Sequence, residues 1–138
     1  MRIAYNAHHG QFDKSGIPYI FHPCHLAEQM TDEYTTCVAL LHDVVEDTSV
    51  TLADLAQVFP AEVVEAVALL THQPDTDYFA YVQKIGTNPL AKAVKLADLT
   101  HNSDQSRMDT PDPAALKRWE EKYRKAFQIL TQEGNSHE

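Results

Sequence analysis

Residues 39–48, ALLHDVVEDT, place one histidine and three carboxylates in an otherwise apolar run. Apolar runs build protein cores, and charged side chains are seldom buried without a partner. Because an α-helix turns 100° per residue, a helix over 32–46 would have an apolar face and a polar face. The polar face would hold His42, Asp43, Glu46 and Asp47. These carboxylates repel one another and have no Lys or Arg nearby along the sequence, so their counter-charge must come from elsewhere.

Helical periodicity extends over nearly all of the 138 residues, and no segment alternates as a strand would. Helices are predicted over 2–9, 21–30, 32–46, from Ser49 or Thr51 onward, from Pro60 onward, near 76–86, near 89–102, and after an Asp112 cap with Pro113 at N1. The fold class is therefore predicted as all-α, a compact bundle of about six to eight helices. We expect one domain over 1–131 and a frayed tail over 132–138.

The composition indicates an ordinary globular protein with an acidic surface. Lys and Arg number 11 against 20 Asp and Glu, which gives a net charge of -9. This balance argues against general nucleic-acid binding, which needs a basic surface. Two cysteines are too few for a disulfide scaffold, and no stretch is long and apolar enough to span a bilayer. The expectation is a soluble cytoplasmic protein.

Four residues in three separate segments have the chemistry of a metal site. His42 and Asp43 are adjacent, Asp98 lies on a later apolar helix, and His22 opens a helix after an irregular segment. Two imidazoles and two carboxylates suit a divalent transition metal and leave coordination positions open, as a catalytic site requires. The alternative is a polar, solvent-exposed face on a purely structural helical bundle, which would bind no metal tightly.

Three motifs, AHHGQFDKSGIPYIFHP (7–23), ALLHDVVEDT (39–48) and VKLADLTHN (94–102), occur together and in this order. They resemble the HD superfamily of metal-dependent phosphohydrolases, and within it the hydrolase domain of RelA/SpoT-type alarmone enzymes. The resemblance implies an HD-domain helical bundle of the kind found in stand-alone small alarmone hydrolases. It also implies cleavage of ppGpp or pppGpp at the 3′-diphosphate, which releases pyrophosphate and GDP or GTP.

The resemblance also assigns roles to individual residues. It implies one divalent ion, Mn²⁺, with Fe²⁺ or Zn²⁺ remaining open, held by His22, His42, Asp43 and Asp98. Glu46 and Asp47 match the family's acidic pair, which activates the attacking water. The residues implied to contact the substrate are Lys14, Ser15, Asn102, Arg118 and Tyr123. The remaining motif histidine, His101, is interpreted as structural, like His8, His9, His25 and His72.

Two departures from the family pattern concern substrate recognition. Asp13 stands where the family has an arginine expected against the purine base, and Leu99 stands where a basic residue is common. An aspartate cannot stack as a planar cation, and it repels an anionic substrate. The alternatives are therefore a related phosphohydrolase of adenosine alarmones, NADPH or a nucleoside monophosphate, and a non-catalytic nucleotide-sensing module. A homo-oligomer is also possible, since the apolar stripe of the last helix fits either the core or a partner chain.

Overall fold

The computed structural model describes residues 1–12, 16–109 and 112–135. In this part of the chain nine α-helices follow one another: α1 Arg2–His8, α2 Phe21–Glu28, α3 Glu33–Leu41, α4 Val44–Asp47, α5 Leu52–Ala56, α6 Ala61–Leu70, α7 Tyr78–Ile85, α8 Pro89–Asp109 and α9 Pro113–Asn135. The β-structure of the described residues amounts to an isolated bridge between Phe12 and Pro18. The all-α prediction is confirmed, although the number of helices exceeds the predicted range.

The extra helix arises because the predicted helix over 32–46 is broken. Helix α3 ends at Leu41, α4 begins at Val44, and His42 and Asp43 lie between them. The Nδ1 of His42 donates to the carbonyl of Ala39 at 2.6 Å. In a continuous helix that carbonyl would accept the backbone N–H of Asp43. The prediction of one continuous helix over 32–46 was therefore wrong, although the backbone of His42 and Asp43 stays in the right-handed helical region.

Helix α3 lies at the centre of the bundle, where it packs against α1, α2, α6 and α8. Val38 and Ala39 on α3 are fully buried, as is Val44 at the start of α4. Burial of a branched apolar side chain contributes about 1.5–3 kcal/mol, so this packing holds the segment around His42 in place. The α8 residues Val94 and Leu99 belong to the same core, which brings Asp98 beside α3.

Several predicted helix caps are present. Thr51 and Asp54 form a reciprocal capping box at the start of α5. Asp112 accepts the backbone N–H of Ala114 at 3.0 Å, with Pro113 as the first residue of α9. Helix α8 continues beyond the predicted end near 102, and α9 continues past 131 to Asn135.

The aromatic stripe of α9 is stacked along the helix. The Trp119 and Tyr123 ring centroids are 5.4 Å apart, and those of Tyr123 and Phe127 are 5.9 Å apart. Leu130 is fully buried, and α9 packs against α7 and α8. The stripe predicted for this helix consists of Leu116, Trp119, Tyr123, Phe127 and Leu130. Its C-terminal end at Leu130 packs within the chain, while the side chain of Leu116 lies outside the described residues.

Candidate metal centre

Side chains from α2, α8 and the α3–α4 junction converge on one partly buried cluster. Ligand-type atoms of His22, His42 and Asp98 all lie within 4.8 Å of one another. The His22 Nε2 is 2.9 Å from the Asp98 Oδ1, and the His42 Nε2 is 3.7 Å from the same oxygen. The fourth predicted ligand, Asp43, lies beside them with its Oδ2 3.0 Å from the His42 Nε2.

His42 has the environment of a cation ligand. The residue is buried, with 3% of its surface exposed. Its Nδ1 is used by the Ala39 carbonyl, whereas its Nε2 has no hydrogen bond of acceptable geometry despite the two carboxylates nearby. A buried polar atom without a partner costs about 1–3 kcal/mol. A divalent ion among the four residues would satisfy this atom and both carboxylates, so the donor set fits a bound metal.

The electrostatics of the metal-free cluster support that assignment. Burial by itself would lower the pKa of His42, but the carboxylates of Asp43 and Asp98 raise it well above the usual value. Burial would raise the pKa of Asp98, but the hydrogen bond from His22, the nearby imidazole of His42 and the charge of Lys95 hold it well below the usual value. Both shifts mean that the pocket favours a positive charge between the carboxylates.

Two further side chains hold the carboxylate of Asp98. Lys95, one turn earlier on α8, places its Nζ 3.3 Å from the Oδ2. Asn102, one turn later, donates its Nδ2 to the Oδ1 at 3.2 Å. The Lys95 Nζ also lies 5.4 Å from the ring centroid of Tyr81, within the range of a cation–π contact. Each oxygen of Asp98 thus has a partner on its own helix.

Asp43 is held from the opposite side by Tyr19, whose hydroxyl donates to the Asp43 Oδ2. Burial and the neighbouring Asp43 charge raise the pKa of Tyr19 above its usual value, so the phenol stays a donor. Burial would raise the pKa of Asp43, but the adjacent His42 lowers it overall. The carboxylate is therefore ionised and oriented toward His42.

The acidic pair of α4 forms a second group with Asp43, in which the carboxylate oxygens lie within 4.8 Å of one another. Glu46 accepts the backbone N–H of His72 at 2.7 Å through its Oε1. Partial burial and the charges of Asp43 and Glu46 raise the pKa of Asp47. Glu46 stands one turn after His42 along the chain, and its carboxylate lies together with those of Asp43 and Asp47.

The proposed substrate residues are distributed unevenly. Lys14 and Ser15, together with Asp13, lie outside the described residues. Asn102 lies at the centre through its bond to Asp98, whereas Tyr123 is stacked on the rings of its own helix and Arg118 is exposed on α9. Leu99 is buried in the core, with 5% of its surface exposed. Where the family commonly has a basic residue, this chain therefore has an apolar side chain that packs in the core.

Sequence reasoning missed three supports of the centre: Tyr19, Lys95 and His101. Tyr19 and Lys95 were inside the quoted motifs, and the three-residue spacing of Lys95 and Asp98 was a usable signal for an ion pair on one helical face. His101 was interpreted as structural, yet its Nδ1 lies 2.6 Å from the Nδ1 of His22. An open cavity of about 340 Å³ adjoins these two rings, lined by Ile17, Phe21, His22, Cys24, His25, Glu28 and His101.

Comparison with known proteins assigns the class. A family model described as "HD domain" matches residues 1–88, which is more than half of the chain and includes His22, His42 and Asp43. The chain therefore belongs to the HD domain family.

Individual relatives are more specific. The chain is 41% identical over 119 residues to the bifunctional (p)ppGpp synthase/hydrolase SpoT of Escherichia coli (strain K12), covering 72% of this chain and 16% of that protein. It is 38% identical over 115 residues to the guanosine-3′,5′-bis(diphosphate) 3′-pyrophosphohydrolase of Haemophilus influenzae, covering 72% of this chain and 17% of that protein. The chain thus spans about a sixth of these curated relatives.

A solved structure is similar over nearly the whole chain. It is described by the words "A metazoan ortholog of SpoT hydrolyzes ppGpp and plays a role in starvation responses". The two chains superpose with a TM-score of 0.73 at 26% identity, covering 96% of this chain and 81% of the other.

In the described part of the present chain, no helix has both the length and the apolar character needed to cross a membrane.

Proposed function

We propose that this chain hydrolyses the 3′-diphosphate of guanosine alarmones, converting ppGpp or pppGpp to GDP or GTP and pyrophosphate, with one divalent ion, Mn²⁺. The observation that carries the proposal is the unsatisfied, buried Nε2 of His42 beside Asp43, Asp98 and His22. The descriptions of the three relatives reported above all refer to ppGpp hydrolysis and support this proposal.

The chemistry required is the addition of water across a phosphate ester. His22, His42, Asp43 and Asp98 would hold the ion, whose Lewis acidity makes water a better nucleophile and offsets phosphate charge. Mixed nitrogen and oxygen ligands suit Mn²⁺, while Fe²⁺ and Zn²⁺ use the same donors. Water supplies a hydroxyl to the departing pyrophosphate and a proton to the 3′ oxygen of the ribose, so the reaction balances without a further reactant.

Glu46 and Asp47 act as the proton-handling pair. Their carboxylates lie beside Asp43, so they face the side of the centre away from the buried core. The raised pKa of Asp47 makes it a stronger base than an ordinary carboxylate, which suits it to take a proton from the attacking water. Glu46, fixed by the backbone N–H of His72, orients that water.

Pyrophosphate release from ppGpp by the purified protein, with Mn²⁺ and with a chelator, tests the proposal. We expect release that requires the ion, and a fall of about 100-fold or more in Glu46→Gln with metal content unchanged. Glu62→Gln on α6 is the matched control, since this exposed carboxylate lies on a different helix from the acidic pair. Full turnover in Glu46→Gln would remove Glu46 from the mechanism.

A second candidate keeps the chemistry and changes the nucleotide, and Asp13 is the observation that favours it. A panel of guanosine alarmones, adenosine alarmones, NADPH and nucleoside monophosphates decides between them. Asp13→Arg is expected to shift preference toward guanine, because a planar cation can stack on the base. Metal binding without turnover of any member of the panel would favour a nucleotide-sensing module. The cytoplasmic location and a homo-oligomeric state remain predictions of the sequence.

A further inference from the structure

The two candidate metal-binding imidazoles, His22 and His42, each have a close partner at their Nδ1. An imidazole ligand must present a lone pair at its binding nitrogen, so the ring proton must sit on the other nitrogen and needs an acceptor there. For His42 that acceptor is the Ala39 carbonyl, 2.6 Å from the Nδ1. The Nε2 of His42 is thereby left free beside the two carboxylates.

The corresponding contact of His22 is made by a side chain. Its Nδ1 lies 2.6 Å from the Nδ1 of His101, and the two rings are nearly parallel, with centroids 4.7 Å apart and an interplanar angle of 20°. Without an ion, the Nε2 of His22 donates to the Oδ1 of Asp98 at 2.9 Å, on the inner side of the cluster, so an ion that binds there takes the place of this proton. One proton bridges the two Nδ1 atoms, and it belongs either to His22 or to His101.

These two arrangements have opposite consequences for the centre. If His101 donates, the Nδ1 of His22 is an acceptor and its Nε2 carries a proton, which blocks ligation through that atom. If His22 donates from its Nδ1, its Nε2 can give up the proton it shares with Asp98 and present a lone pair to an ion. A backbone carbonyl can only accept a hydrogen bond. The Ala39 carbonyl therefore permits only the arrangement in which the ligand imidazole donates from its Nδ1.

The surroundings of His101 hold its ring in position for this role. Asp98 and His101 are three residues apart on α8, so one helix supplies a ligand and also the partner of a ligand on α2. The His101 ring also lies 4.7 Å from the ring of His25, tilted by 40°. It therefore contacts two histidines of α2.

We propose that His101 is a positioning residue for the metal: when an ion binds, it accepts the Nδ1 proton of His22 and so favours the tautomer whose Nε2 lone pair is available to the ion beside Asp98. This rests on the metal site of the proposed function, but it does not depend on which nucleotide is the substrate. His101, in the motif VKLADLTHN (94–102), thereby contributes to metal affinity.

Three variants separate this role from packing. His101→Phe keeps an aromatic ring but has no acceptor, His101→Gln restores an acceptor, and His25→Phe is the matched control for ring packing in the same cavity. The Mn²⁺ dissociation constant, measured by chelator competition, is expected to rise about 10- to 100-fold in His101→Phe, the usual effect of losing such an outer partner. We expect His101→Gln to recover most of the affinity and His25→Phe to stay within about 3-fold of the parent.

A second readout is independent of activity and of substitution. In the ¹⁵N NMR spectrum of the histidine-labelled protein loaded with diamagnetic Zn²⁺, His22 is expected to carry its proton on Nδ1, and the Nδ1 of His101 is expected to be unprotonated, as an acceptor must be. A protonated Nδ1 in His101 would overturn the proposal, as would unchanged Mn²⁺ affinity in a folded His101→Phe. If His101→Phe does not fold, the NMR spectrum of the parent decides.

The outcomes also separate this inference from the proposed function. A parent protein that binds Mn²⁺ but does not hydrolyse ppGpp contradicts the proposed substrate, while the His101 readouts still decide the present point. A parent protein that binds no divalent ion overturns both. Normal ppGpp hydrolysis with an unaffected His101→Phe overturns the present inference alone.

Discussion

The two imidazoles of the candidate metal centre are supported from very different distances along the chain. His42 bonds to a carbonyl three residues earlier, at the end of its own helix. His22 bonds to His101, 79 residues later, on a helix from the other half of the chain. The first support forms as soon as α3 forms, whereas the second exists only when α2 and α8 are packed together. One half of the site is thus local and the other half depends on the complete fold.

The two imidazoles also differ in charge environment. His42 lies 3.0 Å from Asp43 and 3.7 Å from Asp98, with its side chain 4% exposed. His22 faces one carboxylate, Asp98, and its side chain is 12% exposed at the edge of the cavity. Loss of His42 therefore leaves two carboxylates close together in the core, while loss of His22 opens the site toward solvent. The predictions below test this difference.

The largest effect is expected from removing either imidazole. His42→Gln and His22→Gln should each weaken Mn²⁺ binding and turnover by more than about 100-fold, beyond the usual effect of an outer partner. The two variants should differ in stability. Breaking a buried ion pair costs about 3–5 kcal/mol, so the unfolding free energy of the metal-free protein should fall by that amount in His42→Gln and by less in His22→Gln. Urea unfolding measures both, and equal losses would contradict the comparison.

Lys95 gives the next largest effect, because it neutralises the Asp98 oxygen that faces away from His22. Lys95→Met should lower the unfolding free energy of the metal-free protein by about 3 kcal/mol, since Asp98 loses a buried partner. Mn²⁺ should restore part of this loss, so the rise in Tm on adding Mn²⁺ should be larger in the variant than in the parent. Lys84→Met, at an exposed position on α7, is the control. An identical rise in Tm in both proteins would show that Lys95 does not balance the charge of the centre.

The local half of this structure is the half that the sequence predicted well. The capping box at Thr51 and the Asp112–Pro113 start of α9 depend on residues within three positions of each other, and both are present. The break at His42 and Asp43 escaped prediction although it is local. It comes from an imidazole that bonds to a carbonyl, and hydrophobic periodicity carries no information about such a bond.

The part of the site that depends on long-range contacts could not be predicted from hydrophobic periodicity. The motif resemblance named His22, His42, Asp43 and Asp98, and the structure brings their side chains together. It gave no role to His101, because that role depends on a ring contact with a residue in a distant motif. Tyr19 was missed for the same reason, since its partner Asp43 lies 24 residues away. Ligand types leave a recognisable pattern in a sequence, whereas the partners that orient them depend on the packing.

The pH dependence of the stability of the metal-free protein tests the charges of His42 and Asp98. The pKa of His42 is raised on folding, so its contribution to stability is complete below about pH 6.5 and is lost as the pH rises through the folded-state pKa. The pKa of Asp98 is lowered, so its contribution is present above about pH 4 and is lost in acid. We expect maximal stability between these limits, measured by urea unfolding from pH 3 to 10.

Substitution and metal loading identify the groups that cause the loss of stability at high pH and the loss of stability in acid. His42→Gln should remove the loss of stability at high pH, and saturating Mn²⁺ should remove it in the parent because the ion takes the place of the proton. Asp98→Asn should remove the acid limb. A high-pH limb that persists in His42→Gln would mean that another group titrates there.

The smallest effect is expected at Asn102, which tests whether Asp98 is shared between its partners. Asn102→Ala removes one hydrogen bond to the Oδ1 that His22 also faces, so the unfolding free energy should fall by about 1 kcal/mol. Combined with His22→Gln, the two losses should depart from additivity by about 0.5 kcal/mol or more, because both act through one oxygen. Combined with Thr51→Ala, at the separate cap of α5, the losses should add.

Kinetic measurements on Asn102→Ala test the other role proposed for Asn102. A raised KM for ppGpp at saturating Mn²⁺ indicates direct contact with the substrate. Weaker Mn²⁺ binding with unchanged KM indicates that Asn102 acts through Asp98 alone.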